Sequence, residues 1–188
     1  MRILVAYASR HGATRGIAER LAQRLERNGL DVTLQHVDRV GAVDDYDAFV
    51  IGSAAYNHHW LKEATRFARR HRTRLESRPV WLFSSGPIGT ATVDATGQDP
   101  LKAAVPREFA ELAAAVRPRD LKIFYGAYDP SAPPIGLVER LGAPFMRMAA
   151  VRDAMPSGDF RDWAAIDEWA AGIARELGRV PAGTAGGA

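Results

Sequence analysis

Cysteine is absent from this 188-residue sequence. That excludes disulfides, thiolate zinc sites, iron–sulfur clusters and dithiol redox chemistry. A redox function would therefore need a bound organic cofactor. No apolar run approaches the ~20 residues that cross a bilayer, so no membrane-spanning helix is expected. The first apolar run, Ile3-Leu4-Val5, is too short for a signal peptide and has Arg10 close behind it. A cytoplasmic setting is the expectation. Internal repeats and low-complexity blocks are also missing before the tail.

What is present is an ordinary globular composition, 47% apolar and 25% charged, enough for one domain with a real core. Residues 1–178 are expected to form that domain, with 128–158 as an insertion before the last helix and 179–188 as a flexible tail. Lys and Arg number 25 against 22 Asp and Glu. The arginines are spread over helices, which points to solvated faces rather than a nucleic-acid surface. A weak attraction to anionic lipid or an acidic partner stays open.

Hydrophobic periodicity predicts strands at Arg2–Ala8, Asp31–Val37, Tyr46–Ile51, Pro79–Ser85 and Leu121–Ala127. Helices are predicted over Ala13–Asn28, Trp60–Leu75, Leu101–Val116 and Asp159–Leu177, with Pro106 marking a start or a kink in the third. Five strands alternating with helices imply an α/β sandwich of three layers, a parallel sheet covered on both faces. In the order 2-1-3-4-5, ligands bind outside the carboxyl ends of the strands, at the crevice between strands one and three. Three loops then share one rim: Ser9–Thr14, Ser53–His59 and Ser84–Gly89.

Several ligands fail there. The first loop has Gly12 and Gly16 only, a poor match to G-x-G-x-x-G. No run matches the nucleotide-triphosphate loop G-x-x-x-x-G-K-[ST]. A response-regulator receiver needs carboxylates where this chain has Ala8, Ser9, Gly52 and Ser53. Flavin mononucleotide (FMN) fits better. Ser9, Thr14 and the amides of Arg10, His11, Gly12, Ala13 and Thr14 suit its phosphate, because helix N-termini carry unpaired, partly positive N–H groups. Capping of the first helix is the plainer role for Ser9 and Thr14. Ser53, Ala54, Ala55, Tyr56, Asn57 and His58, with His59 and Trp60, could wall the ring, although Trp60 also reads as core. Ser84, Ser85, Gly86 and Gly89 could meet its pyrimidine edge. No Asp or Glu lies in these three loops, which favours a reduced, anionic flavin. His58-His59 has no third ligand near in sequence, so no metal site is expected, and no catalytic acid or base stands out. Asp94 and Asp99 read as loop-solvating.

The pattern Ser9-Arg10-x-Gly12-x-Thr14-Arg15-x-Ile17-Ala18 resembles the first loop of flavodoxin-domain proteins, most of all the menaquinone-dependent protoporphyrinogen dehydrogenase type. The resemblance continues at Tyr46-Asp47-x-x-Val50-Ile51-Gly52, Phe67 through His71, Tyr125-Gly126-Ala127, Asp162-Trp163 and Trp169-Ala170. It implies a flavodoxin fold, FMN held by the three loops, and one- or two-electron chemistry. It also implies a porphyrinogen substrate and a quinone acceptor. The loops at Asn57–His59 and Gly86–Pro100 depart from that type. The basic charge argues against a carrier docking through acidic residues. The apolar stretch Pro133–Met148 reads as a packed insertion; the alternative is a surface for a quinone, a membrane face or a partner subunit in a homodimer.

Overall fold

The computed structural model describes residues 1–89, 93, 97–133, 135 and 157–179. The first strand, β1 (Arg2–Ala8), lies near the centre of the sheet. Its residues Ile3, Leu4, Val5 and Ala6 are all fully buried. A strand covered on both faces reads as a continuous apolar run, which is why this segment lacks alternation. Helix α1 (Ala13–Arg27) follows, then β2 (Asp31–His36) at the edge. Next come β3 (Ala48–Tyr56), a short antiparallel β4 (His59–Trp60), α2 (Lys62–Arg70), α3 (Arg72–Glu76) and β5 (Val80–Ser85). After them lie α4 (Pro100–Ala103), α5 (Glu108–Val116), β6 (Asp120–Phe124), a small pair β7 (Ala127–Tyr128) and β8 (Gly158–Asp159), and α6 (Trp163–Arg179).

The main parallel strands run in the order β2-β1-β3-β5-β6. With the hairpin strand β4 set aside, this is the expected 2-1-3-4-5. Alternate residues feed two cores. Leu4, Phe49, Ile51 and Leu82 pack with Ala64, Phe67 and Leu112 of α2 and α5 on one face. Ile3, Val5, Val50, Trp81 and Phe83 pack with Ile17, Leu21 and Ile173 of α1 and α6 on the other. Gly52 allows the second core to close: a Cβ there would stand 2.0 Å from the Phe83 ring. Asp167 of α6 takes hydrogen bonds from the guanidinium groups of both Arg20 and Arg24, with Arg20 Nε at 2.6 Å, and so ties α6 to α1.

Several boundaries differ from expectation. The third strand starts at Ala48 rather than Tyr46 and runs on through Tyr56, because its end gains a hairpin partner in β4. Trp60 is in that partner, 3% exposed, and does not open a helix. The helix predicted over 60–75 breaks at His71 into α2 and α3, and the one over 101–116 divides around Pro106, which has no N–H to donate. The final helix starts at Trp163, not Asp159. Asp162 caps it, accepting from the Ala165 N–H at 3.0 Å. Asp99 likewise caps α4 by accepting from Leu101 N–H, so it does more than solvate a loop. Asp94, most of Pro133–Met148, positions 134 and 136–156 of the insertion, and 180–188 of the tail lie outside the described residues. Among the described residues, no helix is long and apolar enough to cross a membrane.

Candidate functional site at the carboxyl edge of the sheet

Register brings the three loops together. Ala8 pairs with Ser53, Ser53 with Ser84, and Ala54 with Ser85, so the ends of β1, β3 and β5 form one row. β1 leads to a strand on one side of it while β3 lies on the other, so this row spans the switch point of the sheet.

Loop one turns on Gly12, at φ +86°, a conformation that side chains with a Cβ adopt at a cost. Gly12 N–H donates to Ser9 Oγ at 3.1 Å. Among the described residues no side chain caps α1, and no acidic residue sits in its first turn. Its first N–H groups have no intrahelical partner and carry the positive end of the helix dipole. Arg10, His11 and Gly12 are exposed, Ser9 and Ala13 part-buried. Thr14 is fully buried, with Oγ1 2.7 Å from Ser85 Oγ, which fastens loop one to loop three.

Loop two is mostly strand. Tyr56 to His59 form a two-residue hairpin whose tip, Asn57 and His58, has φ of +49° and +61°. Positive φ at both central residues is the turn geometry that matches the twist of paired strands. The Arg10 guanidinium lies 5.3 Å from the centre of the Tyr56 ring, within cation–π range, joining loops one and two. Tyr56 is 41% exposed and presents a flat aromatic surface on the rim. Ser53 is buried: its hydroxyl donates to the Ala54 carbonyl and accepts from Leu61 N–H at 3.1 Å. Ser84 is buried too and donates to the Ser53 carbonyl. Thr14, Ser53, Ser84 and Ser85 thus make a hydroxyl floor beneath the rim, while the backbone of loop one and the Arg10–Tyr56 pair face outward. Loop three turns at Gly86, where a Cβ would stand 3.7 Å from Ala55, and its Pro87 carbonyl accepts from Gly126 N–H at 2.7 Å. Gly89, at φ +105°, is part-buried.

Two side chains outside the expected set belong to this neighbourhood. Glu108, at the start of α5, accepts from His59 Nδ1–H at 2.8 Å and from Trp60 N–H at 3.1 Å. Burial alone would raise its pKa, but these hydrogen bonds outweigh it and hold the carboxyl below its ordinary range. Arg161 donates to the Ala13 carbonyl at 3.2 Å and is gripped by Asp159 at 2.6 and 2.7 Å. It passes where a side chain on Gly16 would stand, 2.3 Å from the Cβ position. The acid in the first turn of α5 is legible as a helix-start signal; its reach across 49 positions to His59 is not.

The donor set suits a phosphate monoester carrying a flat ring: hydroxyls, helix-start N–H groups, an aromatic surface and no carboxylate in the loops. A family model described as Flavodoxin domain matches residues 4–141. The chain belongs to the flavodoxin-domain family. Its cofactor is FMN, and the fold is that of redox flavoproteins. The chain is 33% identical over 86 residues to the protoporphyrinogen IX dehydrogenase [quinone] of Escherichia coli (strain K12), a match covering 45% of this chain and 48% of that one. It thus spans about half the length of the curated relatives it matches. Among solved structures, a flavodoxin from the domain Archaea superposes with a TM-score of 0.57 at 15% identity, over 95% of this chain and 99% of that one. A Streptococcus pneumonia TIGR4 flavodoxin gives 0.54 at 16%, over 95% and 98%. Rubredoxin oxygen:oxidoreductase from the anaerobe Desulfovibrio gigas gives 0.54 at 15%, over 94% of this chain and 36% of that one. These likenesses show the fold.

Proposed function

We propose that this flavodoxin-family chain is an FMN-dependent oxidoreductase that passes electrons from a reduced organic substrate or redox partner to a quinone or protein acceptor. A porphyrinogen is the substrate class suggested by the relative of Escherichia coli. The observation that carries the cofactor site is the uncapped start of α1 at the switch point, flanked by Tyr56 and the Ser84–Gly89 loop.

FMN, when bound, supplies one- and two-electron transfer. The chain supplies placement and charge. The amides from Arg10 to Thr14 hold the phosphate with Ser9 beside them. The buried Thr14 hydroxyl, bonded to that of Ser85, fastens loop one to loop three and so holds these amides in place. Tyr56 walls the ring, with Arg10 fixing its plane. Asn57 and His58 border it, and the backbone of Ser84–Gly89 meets its polar edge. Absence of carboxylates from these loops avoids repulsion of added negative charge.

The test has two stages. FMN titrated into apoprotein is expected to lose fluorescence stoichiometrically. Holoprotein supplied with a reduced porphyrinogen is then expected to reduce a quinone over many turnovers. Electron exchange with redox proteins but no quinone turnover would make it a carrier instead. No FMN binding would leave a flavodoxin-like scaffold and sink the reading.

A further inference from the structure

We propose that Glu108 is a positioning residue of the flavin site, acting through the β3–β4 hairpin; this rests on the FMN reading above. The hairpin's own backbone pairing is short. Only two residue pairs, Ala55–Trp60 and Tyr56–His59, join its strands. Tyr56, Asn57, His58 and His59 are all exposed. Its tip places two consecutive residues at positive φ without a glycine, and such backbone persists only when the surroundings enforce it.

The start of α5 does the enforcing. Arg107 N–H donates to the His58 carbonyl at 2.9 Å. One carboxylate oxygen of Glu108 takes the His59 ring N–H, and the other takes the Trp60 backbone N–H. Glu108 therefore grips both residues of β4. Next to it on the helix, Phe109 meets the Trp60 ring edge-on at 5.2 Å between centroids. The Glu108 side chain is only 16% exposed, so water competes weakly for these bonds. The titratable and charged groups around it are His59 on the hairpin, Arg107 just before its helix, Glu111 on it, and Arg69 on α2, which is held by Glu111 at 2.7 and 2.8 Å. Glu108 fixes the strand of the hairpin opposite Tyr56, and Tyr56 pairs directly with His59 on that strand. The backbone from which Tyr56 projects is thus braced from α5, while Arg10 lies over its ring.

An acid in the first turn of α5 would also stabilise that helix by itself. Glu111 shares the first turn but bonds Arg69 instead of the hairpin, and so separates the two roles. Four full-length proteins are compared: wild type, Glu108→Ala, Glu108→Gln and Glu111→Ala. FMN affinity is read by fluorescence quenching, and amide exchange at residues 57–61 is read in the apoprotein. Glu108→Ala is expected to raise the FMN Kd at least tenfold and to speed exchange of the Trp60 amide. Glu108→Gln keeps one acceptor oxygen and loses the other, and is expected to raise the FMN Kd about threefold; if the alanine protein does not fold, that weakening beside wild-type affinity in Glu111→Ala supports the proposal, and wild-type affinity in Glu108→Gln overturns it. Glu111→Ala is expected to bind FMN as wild type does. Wild-type affinity and wild-type Trp60 exchange in Glu108→Ala would overturn the proposal, as would equal weakening by Glu111→Ala and either Glu108 variant. If wild type itself fails to quench FMN, the cofactor reading falls first and this proposal with it.

Discussion

Thr14 offers no surface to solvent, and its hydroxyl sits 2.7 Å from that of Ser85. Thr14→Val keeps the shape and removes the hydroxyl, leaving Ser85 with its partner gone in a site closed to water. The expected cost is about 1–3 kcal/mol, the penalty of an unsatisfied buried polar group. Urea unfolding of the apoprotein checks it, as a lower midpoint at unchanged slope. Adding Ser85→Ala to Thr14→Val is expected to recover part of the loss, since no orphan then remains. If the two changes simply add, the pair is not coupled. At this scale the sequence disclosed types and not partners. Thr14 stood out as a hydroxyl at a helix start, but Ser85 lies 71 positions away. Gly52 stood just past the predicted strand Tyr46–Ile51, while its reason, the Phe83 ring, belongs to β5.

At the scale of elements, the stretches that could be read were those whose burial follows one rule. β1 and α1 fall where periodicity places them. The β3–β4 hairpin did not, because its tip is Asn57-His58 instead of a pair containing glycine, and its second strand is two residues long. Pairing between helices was equally hidden. Asp167 joins α6 to α1 through Arg20 and Arg24, whose hydrogen bonds hold its carboxyl far below the ordinary range near 3.9. A depressed folded-state pKa gives stability that is complete above the unfolded value and is lost as pH falls toward the folded one. Asp167→Asn is therefore expected to lower Tm at neutral pH. The gap to wild type should narrow as pH drops below about 4. Melting curves across that range decide it; a gap that stays constant would mean the charge is not what counts.

For the whole molecule, the layered order was legible because buried parallel strands appear as apolar runs between helices. The match of three loop ends in one row followed from that order. What lay beyond reach was how α5 and the start of α6 close around the rim, since such contacts join distant parts of the chain. Net charge is a whole-molecule property too. The chain carries +3 with neutral histidines. Exposed Arg10, Lys62 and Arg107 lie at or beside the hairpin. Reduced holoprotein is expected to react more slowly with ferricyanide as salt rises from about 10 to 200 mM, and faster with a cationic oxidant, because screening removes attraction and repulsion alike. Stopped-flow rates measure this; the reverse pattern would mean the rim is locally acidic.

The bond between α1 and α6 also has a consequence in time. Asp167 follows Arg20 by 147 positions, and Ile166, Ile173 and Leu177 are what cover Ile17, Leu21 and Leu25. During synthesis, α1 emerges long before its lid exists. One side of α1 meets β1, β2 and β3 early, but the side that α6 covers has no final neighbour until residues 166–177 have left the ribosome, and closing so long a loop carries an entropic cost. The helix whose start lies at the proposed phosphate site is therefore made well before it is completed, and in that interval the side awaiting α6 is open to other chains.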